Sequence, residues 1–222
     1  MDERFSRNIP ALSPEECAML RGKRVLIAGC GGLGGYAAEL LVRAGVGAFR
    51  VVDADVFEPS NLNRQLLASP ALLGSAKAAA AAQRLRSVSP DAAVEAFDTL
   101  IGEHNADALV TGCDAVVDGL DNIPSRRILA RACSAQNVPY IYGAVSGWVA
   151  QAGVCLPGDD LIDRIYPENA ALSGKSVLSF APALCAAVQA ALCVRLLTGR
   201  AVTTGELLYF DLLHQDFETI AL

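Results

Sequence analysis

A glycine-rich motif that joins an apolar run to a helical segment constrains the fold of this chain more than any other feature. The apolar run, residues 25–28, is typical of a short buried strand. Gly29, Gly31 and Gly34 follow it with the spacing G-x-G-x-x-G, and residues 35–43 continue as a helix. The first glycine of such a motif permits a tight turn, the second lets the backbone approach a phosphate, and the third lets the helix pack on the strand. The motif therefore predicts a nucleotide-binding α/β unit.

A second apolar run, residues 48–52, ends in Asp53, which lies about 20 residues beyond the glycines. An acid at that distance is expected to accept a hydrogen bond from a ribose hydroxyl. The free N–H groups and the positive dipole end at the start of the preceding helix favour an anion such as phosphate. The glycine motif and Asp53 alone favour NAD over ATP, so the rest of the chain has to distinguish the two.

Further apolar runs alternate with helical segments along the chain. Strands are predicted at residues 93–97, 115–118, 139–143, 147–156, 207–211 and 217–220, and helices at 14–21, 77–86, 106–110, 123–136 and 181–197. The segment 147–156 alternates in polarity and is expected to run antiparallel, and the last two strands are expected to form a hairpin. The order predicts an α/β fold with a Rossmann-like, mostly parallel sheet, flanked by helices and extended by antiparallel C-terminal strands.

The length of 222 residues and the apolar content of 53% fit one domain with a large buried core. We expect an N-terminal arm and helix (1–22), a nucleotide-binding core (23–156), a crossover loop (157–176) and a C-terminal helix and hairpin (177–222). The polar stretch 158–175 is expected to be a long surface loop.

Charge and cysteine usage argue against several classes of protein. The net charge is −6 without a Lys/Arg cluster, which argues against nucleic-acid and anionic-membrane partners. The first residues show no secretory signal pattern, and the seven cysteines contain no C-x-x-C, so we expect reduced thiols in a cytoplasmic protein. Residues 177–197 are long enough to suggest a membrane span, but Pro182, Gln189 and Arg195 interrupt them, which favours a buried or subunit-contact helix.

Charged residues follow several of the predicted strands. Arg64 ends a Pro/Ser/Asn-rich loop after Asp53, and Lys77 opens the next long helix, where a cation opposes the helix dipole. Lys77 therefore indicates a nearby anion, or is simply a surface lysine. Asp121 follows the strand 115–118 and could hold Mg²⁺, or could be a helix cap or first-turn acid. His104 is expected to lie on the surface.

Together these residues resemble the ThiF/MoeB/HesA family, relatives of the ubiquitin-activating enzymes. The matching segments are R-F-S-R (4–7), G-C-G-G-L-G (29–34), S-N-L-N-R-Q (60–65), G-S-A-K (74–77), D-N (121–122) and Y-G-A (142–144). The segment 60–65, in register with Asp53, Lys77 and Asp121, is the specific part. The resemblance implies binding of ATP and Mg²⁺ and adenylation of the C-terminal carboxylate of a small ubiquitin-like sulfur carrier that ends in Gly-Gly, from thiamine, molybdopterin or another sulfur pathway.

The resemblance also implies roles for individual residues. Asp53 would contact the ribose, Asp121 would hold Mg²⁺, and Arg7 would reach the γ-phosphate of ATP in a neighbouring subunit, which implies a homodimer. The phosphates would be bound by Gly32, Asn61, Arg64 and Lys77, and the other expected nucleotide contacts are Gly29, Gly31, Gly34, Asp55, Ser60 and Asn122. The catalytic residues would be Arg7, Arg64, Lys77 and Asp121.

The chain departs from the family pattern at two places. Relatives often carry two C-x-x-C pairs that bind zinc, but residues 161–166, where the first should fall, contain none, so no zinc is expected. Residues 173–176 lack the cysteine that many relatives place in the crossover loop. We therefore expect adenylation without a thioester, with Cys185 as the alternative. Two other functions stay open here: an NAD-dependent oxidoreductase, and a nucleotide-binding scaffold without turnover.

Overall fold

The structure is a computed structural model that describes residues 3–168, 170 and 176–222. Its strands are β1 (Arg24–Ala28), β2 (Ala48–Val52), β3 (Ala93–Phe97), β4 (Ala115–Asp118), β5 (Tyr140–Ser146), β6 (Val149–Cys155), β7 (Glu206–Asp211) and β8 (Asp216–Ala221). Its α-helices are α1 (Pro14–Arg21), α2 (Gly32–Ala44), α3 (Lys77–Val88), α4 (Ala106–Val110), α5 (Ile123–Ala135), α6 (Leu161–Ile165) and α7 (Phe180–Leu197). The predicted α/β fold is confirmed.

All these strands form one sheet in the order β3-β2-β1-β4-β5-β6-β7-β8. The pairs from β3 to β5 are parallel, and those from β5 to β8 are antiparallel, as the alternation of residues 147–156 predicts. The chain leaves β1 through β2 and β3 and then returns to β4 on the other side of β1. In open α/β sheets, ligands bind outside the carboxyl ends of the strands at such a reversal of order.

Both faces of β1, β2 and β4 are buried, which explains their largely apolar runs, whereas the edge strand β3 is partly exposed. On β1, Val25 and Ile27 point into an apolar cluster formed with α2, α3 and α7, whereas Leu26 and Ala28 point into a second cluster formed with α4, α5 and α6. The central strands of the sheet are thus covered by helices on both sides, whereas β8 at its edge is largely exposed.

Helix α7 is the one described helix that is long and apolar enough to cross a membrane by length and composition. It packs against α2, β5 and β6, and Pro182, Cys185, Gln189 and Cys193 on it are buried. The prediction of a buried helix is therefore confirmed.

Two segments differ from the sequence-based expectation. Residues Glu3–Asn8 form a 3-10 helix instead of an irregular arm, because Phe5 is buried beneath it. The polar stretch 158–175 contains α6, because Leu161 and Ile162 pack into the second apolar cluster. Of residues 173–176, where many relatives carry a cysteine and this chain does not, residues 173–175 lie outside the described residues.

Candidate nucleotide-binding site

The glycine loop between β1 and α2 has the geometry that its motif predicts. Gly29 has a φ of +85°, and a Cβ there would lie 2.6 Å from the carbonyl oxygen of Gly119. A Cβ on Gly34 would lie 1.7 Å from the carbonyl oxygen of Gly29, so only glycine lets α2 start this close to β1. The backbone at Gly31 is open by comparison. The atom nearest to a Cβ at this position would be Gln65 Nε2, at 3.6 Å.

Asp53, at the carboxyl end of β2, faces this loop. Its carboxylate accepts hydrogen bonds from the backbone N–H of Cys30 at 2.6 Å and of Asp55 at 2.8 Å. Burial raises the pKa of Asp53, and the two hydrogen bonds and the nearby Lys77 charge oppose that shift. The two N–H groups fix the carboxylate beside the loop where a ribose is expected.

Lys77 is buried at the start of α3, so the alternative of a surface lysine is wrong. Its Nζ lies 2.9 Å from Asp55 Oδ2, and its backbone N–H donates to the Asp55 carbonyl. The Asp55 side chain is 67% exposed, whereas that of Lys77 is 8% exposed. The anion that the sequence indicated near Lys77 is therefore a solvent-facing carboxylate in this structure.

The loop after β2 holds its own polar side chains in place. The Asn61 side chain is buried, and its Oδ1 accepts a hydrogen bond from the Glu58 N–H at 3.0 Å. Arg64 Nη1 donates to the Ser60 carbonyl at 2.8 Å and to Asn63 Oδ1 at 2.9 Å. The Arg64 stem passes 3.8 Å from where a Gly32 Cβ would be, so the guanidinium belongs to the mouth of the glycine loop.

Asp121 lies beyond β4 and is exposed. Asn122, and not Asp121, caps α5, since its Oδ1 accepts a hydrogen bond from the Ser125 N–H at 2.9 Å. The alternative of a cap or first-turn acid at Asp121 is therefore wrong. Among the described residues Asp121 has no hydrogen-bond or ion-pair partner, which leaves its oxygens available to a ligand.

A cavity of about 1110 Å³ brings most of the predicted site together. The predicted residues that line it are Gly29, Gly31, Gly32, Asp53, Asp55, Ser60, Asn61, Arg64, Lys77, Asp121 and Asn122. Gly34 instead lies beneath the loop, in contact with Gly29. Arg7 is exposed on the N-terminal 3-10 helix and does not line the cavity.

The sequence profile of the ThiF family matches residues 5–222. The chain belongs to the ThiF family. The predicted family membership is thereby confirmed, and it accounts for the convergence of these residues on one cavity.

Two relatives extend the ThiF family assignment. The chain is 34% identical to SAMP-activating enzyme E1 of Haloferax volcanii, over 98% of this chain and 84% of the relative. It is 31% identical to the sulfur carrier protein adenylyltransferase of Thermus thermophilus, over 98% of this chain and 86% of the relative. The names of these relatives agree with the predicted adenylyltransferase activity. Other relatives are longer, and the chain spans 58% of a probable molybdopterin-synthase adenylyltransferase of Gracilaria tenuistipitata.

Solved structures support the fold. E. coli MccB superimposes with a TM-score of 0.86 at 19% sequence identity, over 99% of this chain and 69% of MccB.

Several residues that line the cavity were not predicted from the sequence of this ThiF-family chain. They are Gln65, Ser125, Arg126, Ser146, Gln151 and Tyr166, among others. Gln65 is buried next to Gly31, and its Oε1 has no partner among the described residues. It ends the S-N-L-N-R-Q segment, so the segment itself was the available signal.

Arg126 is the other charged residue that was missed. It is 3% exposed, and its Nε lies 3.0 Å from Oδ2 of the fully buried Asp118. Burial raises the pKa of Asp118, and the Arg126 guanidinium opposes that shift. The sequence did contain a sign of its burial. Arg126 is three residues from each of the apolar residues Ile123 and Leu129, so it shares the inward face of α5 with them.

Cys185 does not have the environment of a sulfur-accepting nucleophile. It is fully buried on α7, and its Sγ lies 3.1 Å from the Gln151 carbonyl oxygen. Burial raises the pKa of the thiol to about 12. The thiolate is the nucleophile in sulfur chemistry, so this environment argues against the Cys185 alternative.

Proposed function

We propose that this chain is an ATP-dependent adenylyltransferase that activates the C-terminal carboxylate of a small ubiquitin-like sulfur-carrier protein. A carboxylate oxygen would attack the α-phosphorus of ATP, an acyl-adenylate would form, and pyrophosphate would leave. The observation that carries the proposal is the convergence of the glycine loop, Arg64, Lys77 and Asp121 on one cavity in a ThiF-family chain. Such a site works by aligning two anions and by neutralising charge.

The size of the cavity suits two reactants. Sites for one small molecule usually enclose about 300–1000 Å³. This cavity has about 1110 Å³ and extends from the glycine loop to Val149 on β6. A nucleotide on the glycine loop would leave that far part for the extended C-terminal tail of the carrier.

The positive charges of the cavity support the binding of a triphosphate. The N–H groups at the start of α2 face the cavity, and Arg64 and Lys77 lie on its wall. In this structure both cations have nearby protein partners. Arg64 donates hydrogen bonds to a backbone carbonyl and a side-chain amide oxygen, and Lys77 forms an ion pair with the exposed Asp55. Phosphate oxygens would be stronger partners for the Arg64 guanidinium than neutral carbonyl oxygens are.

Asp121 fits a Mg²⁺ ligand. It offers hard carboxylate oxygens that have no partner among the described residues, at the edge of the cavity. Mg²⁺ commonly takes one or two carboxylates and completes its shell with phosphates and water. When bound, it would neutralise charge on the leaving pyrophosphate.

Arg7 is proposed to act on the ATP of a second subunit. It is exposed, lies outside the cavity of its own chain and has no ion-pair partner among the described residues. Its planar guanidinium can bind phosphate in a bidentate manner. The homodimer, a cytoplasmic location, the division of the chain into segments and the expectations of no zinc, nucleic acid or membrane partner stay predictions.

The decisive experiment is carrier-dependent exchange of labelled pyrophosphate into ATP. The chain is mixed with a ubiquitin-like protein that ends in Gly-Gly and comes from the same genome, and a carrier without the last glycine is the control. We expect exchange with the intact carrier only. Calorimetry with ATP·Mg²⁺ and with NAD completes the test, since binding of NAD alone would support an oxidoreductase, and binding of ATP without exchange would support a scaffold.

A further inference from the structure

A network of buried polar groups lies directly behind the loop that carries Asp121. Its centre is the ion pair between Arg126 on α5 and Asp118 at the end of β4. Arg126 also donates hydrogen bonds to the carbonyl oxygens of Leu120 at 2.5 Å and Gly143 at 2.9 Å and to the hydroxyl of Tyr166. One guanidinium therefore ties together the end of β4, the middle of β5, a loop and the segment after α6.

Leu120 is the residue that this network holds most directly. Its N–H donates to Asp118 Oδ1 at 2.9 Å, and its carbonyl accepts from Arg126. The preceding residue is also fixed, since the Gly119 N–H donates to the Ala28 carbonyl at 2.7 Å. The backbone just before Asp121 is thus held on both sides of Leu120, although the Asp121 side chain itself is exposed.

Tyr166 is the second arm of the network. Its ring lies 5.5 Å from the Arg126 guanidinium carbon, and its hydroxyl is 2.8 Å from that of Tyr142. Tyr166 lines the cavity, and the neighbouring Arg127 donates a hydrogen bond to its carbonyl oxygen. The segment after α6 is therefore tied to the same guanidinium that holds the Asp121 loop.

Stability alone does not explain a buried ion pair at this place. Replacing such a pair by apolar side chains of similar volume is often neutral or stabilising, because both charges lose their hydration. The guanidinium here directs its donors to two backbone carbonyls and a tyrosine, which sets geometry at a defined point. That point is the peptide before the proposed metal ligand.

We infer that Arg126, acting with Asp118 and Tyr166, is a positioning residue that sets where the Asp121 carboxylate lies in the cavity. The inference rests on the proposed function in one respect, the binding of a divalent cation by Asp121. It adds that the affinity for this cation depends on residues that do not touch it. Partners behind a metal ligand commonly change metal affinity by about 10- to 100-fold when they are mutated.

The test measures metal binding separately from turnover. Free Mn²⁺ is monitored by electron paramagnetic resonance while it is added to the chain with a non-hydrolysable ATP analogue, and the Mn²⁺ bound by the same amount of analogue without the chain is subtracted. Arg126→Lys keeps the charge beside Asp118 but loses the planar fork that reaches Leu120. We expect at least about 10-fold weaker Mn²⁺ binding in this variant, and unchanged binding of AMP without metal.

Two further variants keep the test decisive if Arg126→Lys does not fold. Tyr166→Phe removes one hydroxyl and retains the ring, and we expect a smaller weakening of Mn²⁺ binding in the same direction. Arg131→Gln is the matched control, because it removes an exposed arginine from the same helix and is expected to leave Mn²⁺ binding unchanged.

The outcomes separate this inference from the proposed function. Wild-type Mn²⁺ affinity in a folded Arg126→Lys variant, or in Tyr166→Phe where the lysine variant does not fold, overturns the inference. Equal loss of AMP and Mn²⁺ binding in a variant indicates general damage to the site and also overturns the inference. The inference is likewise overturned if the wild-type chain binds no Mn²⁺ in the presence of the analogue. If Mn²⁺ binding is weakened in the variants but the wild-type chain shows no pyrophosphate exchange with any carrier, the inference is supported and the proposed function is contradicted.

Discussion

At the scale of single residues, the cations of this cavity are distinguished by the partners that they already have. Lys77 is buried and pairs with the exposed Asp55, whereas Lys23 pairs with Asp114 at the opposite, amino end of the parallel strands. The Nζ–carboxylate distance is similar in the two pairs, 2.9 and 3.0 Å. Mutating each lysine therefore distinguishes an effect on the site from an effect on stability.

Lys77→Met should lower pyrophosphate exchange by about 10²–10³, the usual cost of removing one preorganised charge stabiliser. The fold should be retained, because the methionine fills the same volume and Asp55 is largely exposed. The measurement is initial exchange rate at saturating ATP with circular dichroism as a fold check. Lys23→Met is the matched control, and an equal loss of rate there contradicts the assignment.

Asp121→Ala should abolish Mg²⁺-dependent exchange and leave the free energy of unfolding within about 0.5 kcal/mol, because an exposed side chain without a partner contributes little to stability. A Mg²⁺ titration of exchange rate, with urea unfolding beside it, checks both parts. Retained exchange at the wild-type Mg²⁺ requirement removes the metal role of Asp121.

Cys185→Ala should leave adenylation intact, because the thiol is buried and burial raises its pKa, which keeps it from forming the nucleophilic thiolate. Non-reducing gels of the wild-type chain with carrier and ATP should show no thiol-sensitive adduct. An adduct that forms in the wild type and is missing in Cys185→Ala restores the thioester alternative.

At the scale of elements, α1 is joined to the end of α7 through one carboxylate. Ser13 and Glu16 form a capping box at the start of α1. Arg200, just after α7, donates to both oxygens of Glu16 at 2.6 and 2.7 Å. The arginine lowers the pKa of Glu16 from 4.5 to about 2.

This pair predicts a pH-dependent stability difference. A carboxyl whose pKa is lowered by folding stabilises the native state above its unfolded pKa, and the contribution is lost as pH falls through the folded pKa. Arg200→Met should therefore be less stable than the wild type at pH 7, and the difference should shrink between about pH 4.5 and about 2. Urea unfolding across that pH range measures the stability difference between the wild type and Arg200→Met. In a Glu16→Gln background, most of that difference should be absent at neutral pH.

At the scale of the whole molecule, the sequence predicted what local patterns encode. Apolar runs marked the buried strands, and the glycine motif with Asp53 marked the reversal of strand order. It missed α6, because this short helix lies in a polar stretch whose composition favours a surface loop. It also missed Arg126, because its burial depends on Asp118 and Tyr166, which only the fold brings together.

Arg7 yields a prediction about the assembled protein. If Arg7 acts on the ATP of its neighbour, each site combines Lys77 of one subunit with Arg7 of the other. A subunit with Arg7→Ala and a subunit with Lys77→Ala then form one intact and one doubly impaired site.

Co-expression of the two variants with different affinity tags should therefore restore exchange, although each variant alone is impaired. Random pairing gives about half mixed dimers with one intact site of two, so about a quarter of wild-type activity is expected, and tandem purification of the mixed dimer raises this to about half. If Arg7 serves its own subunit, every site in the mixture lacks one cation and no recovery occurs. The purified mixed dimer decides between the two arrangements, because it holds one intact site if Arg7 acts on the neighbouring subunit and none if Arg7 serves its own subunit.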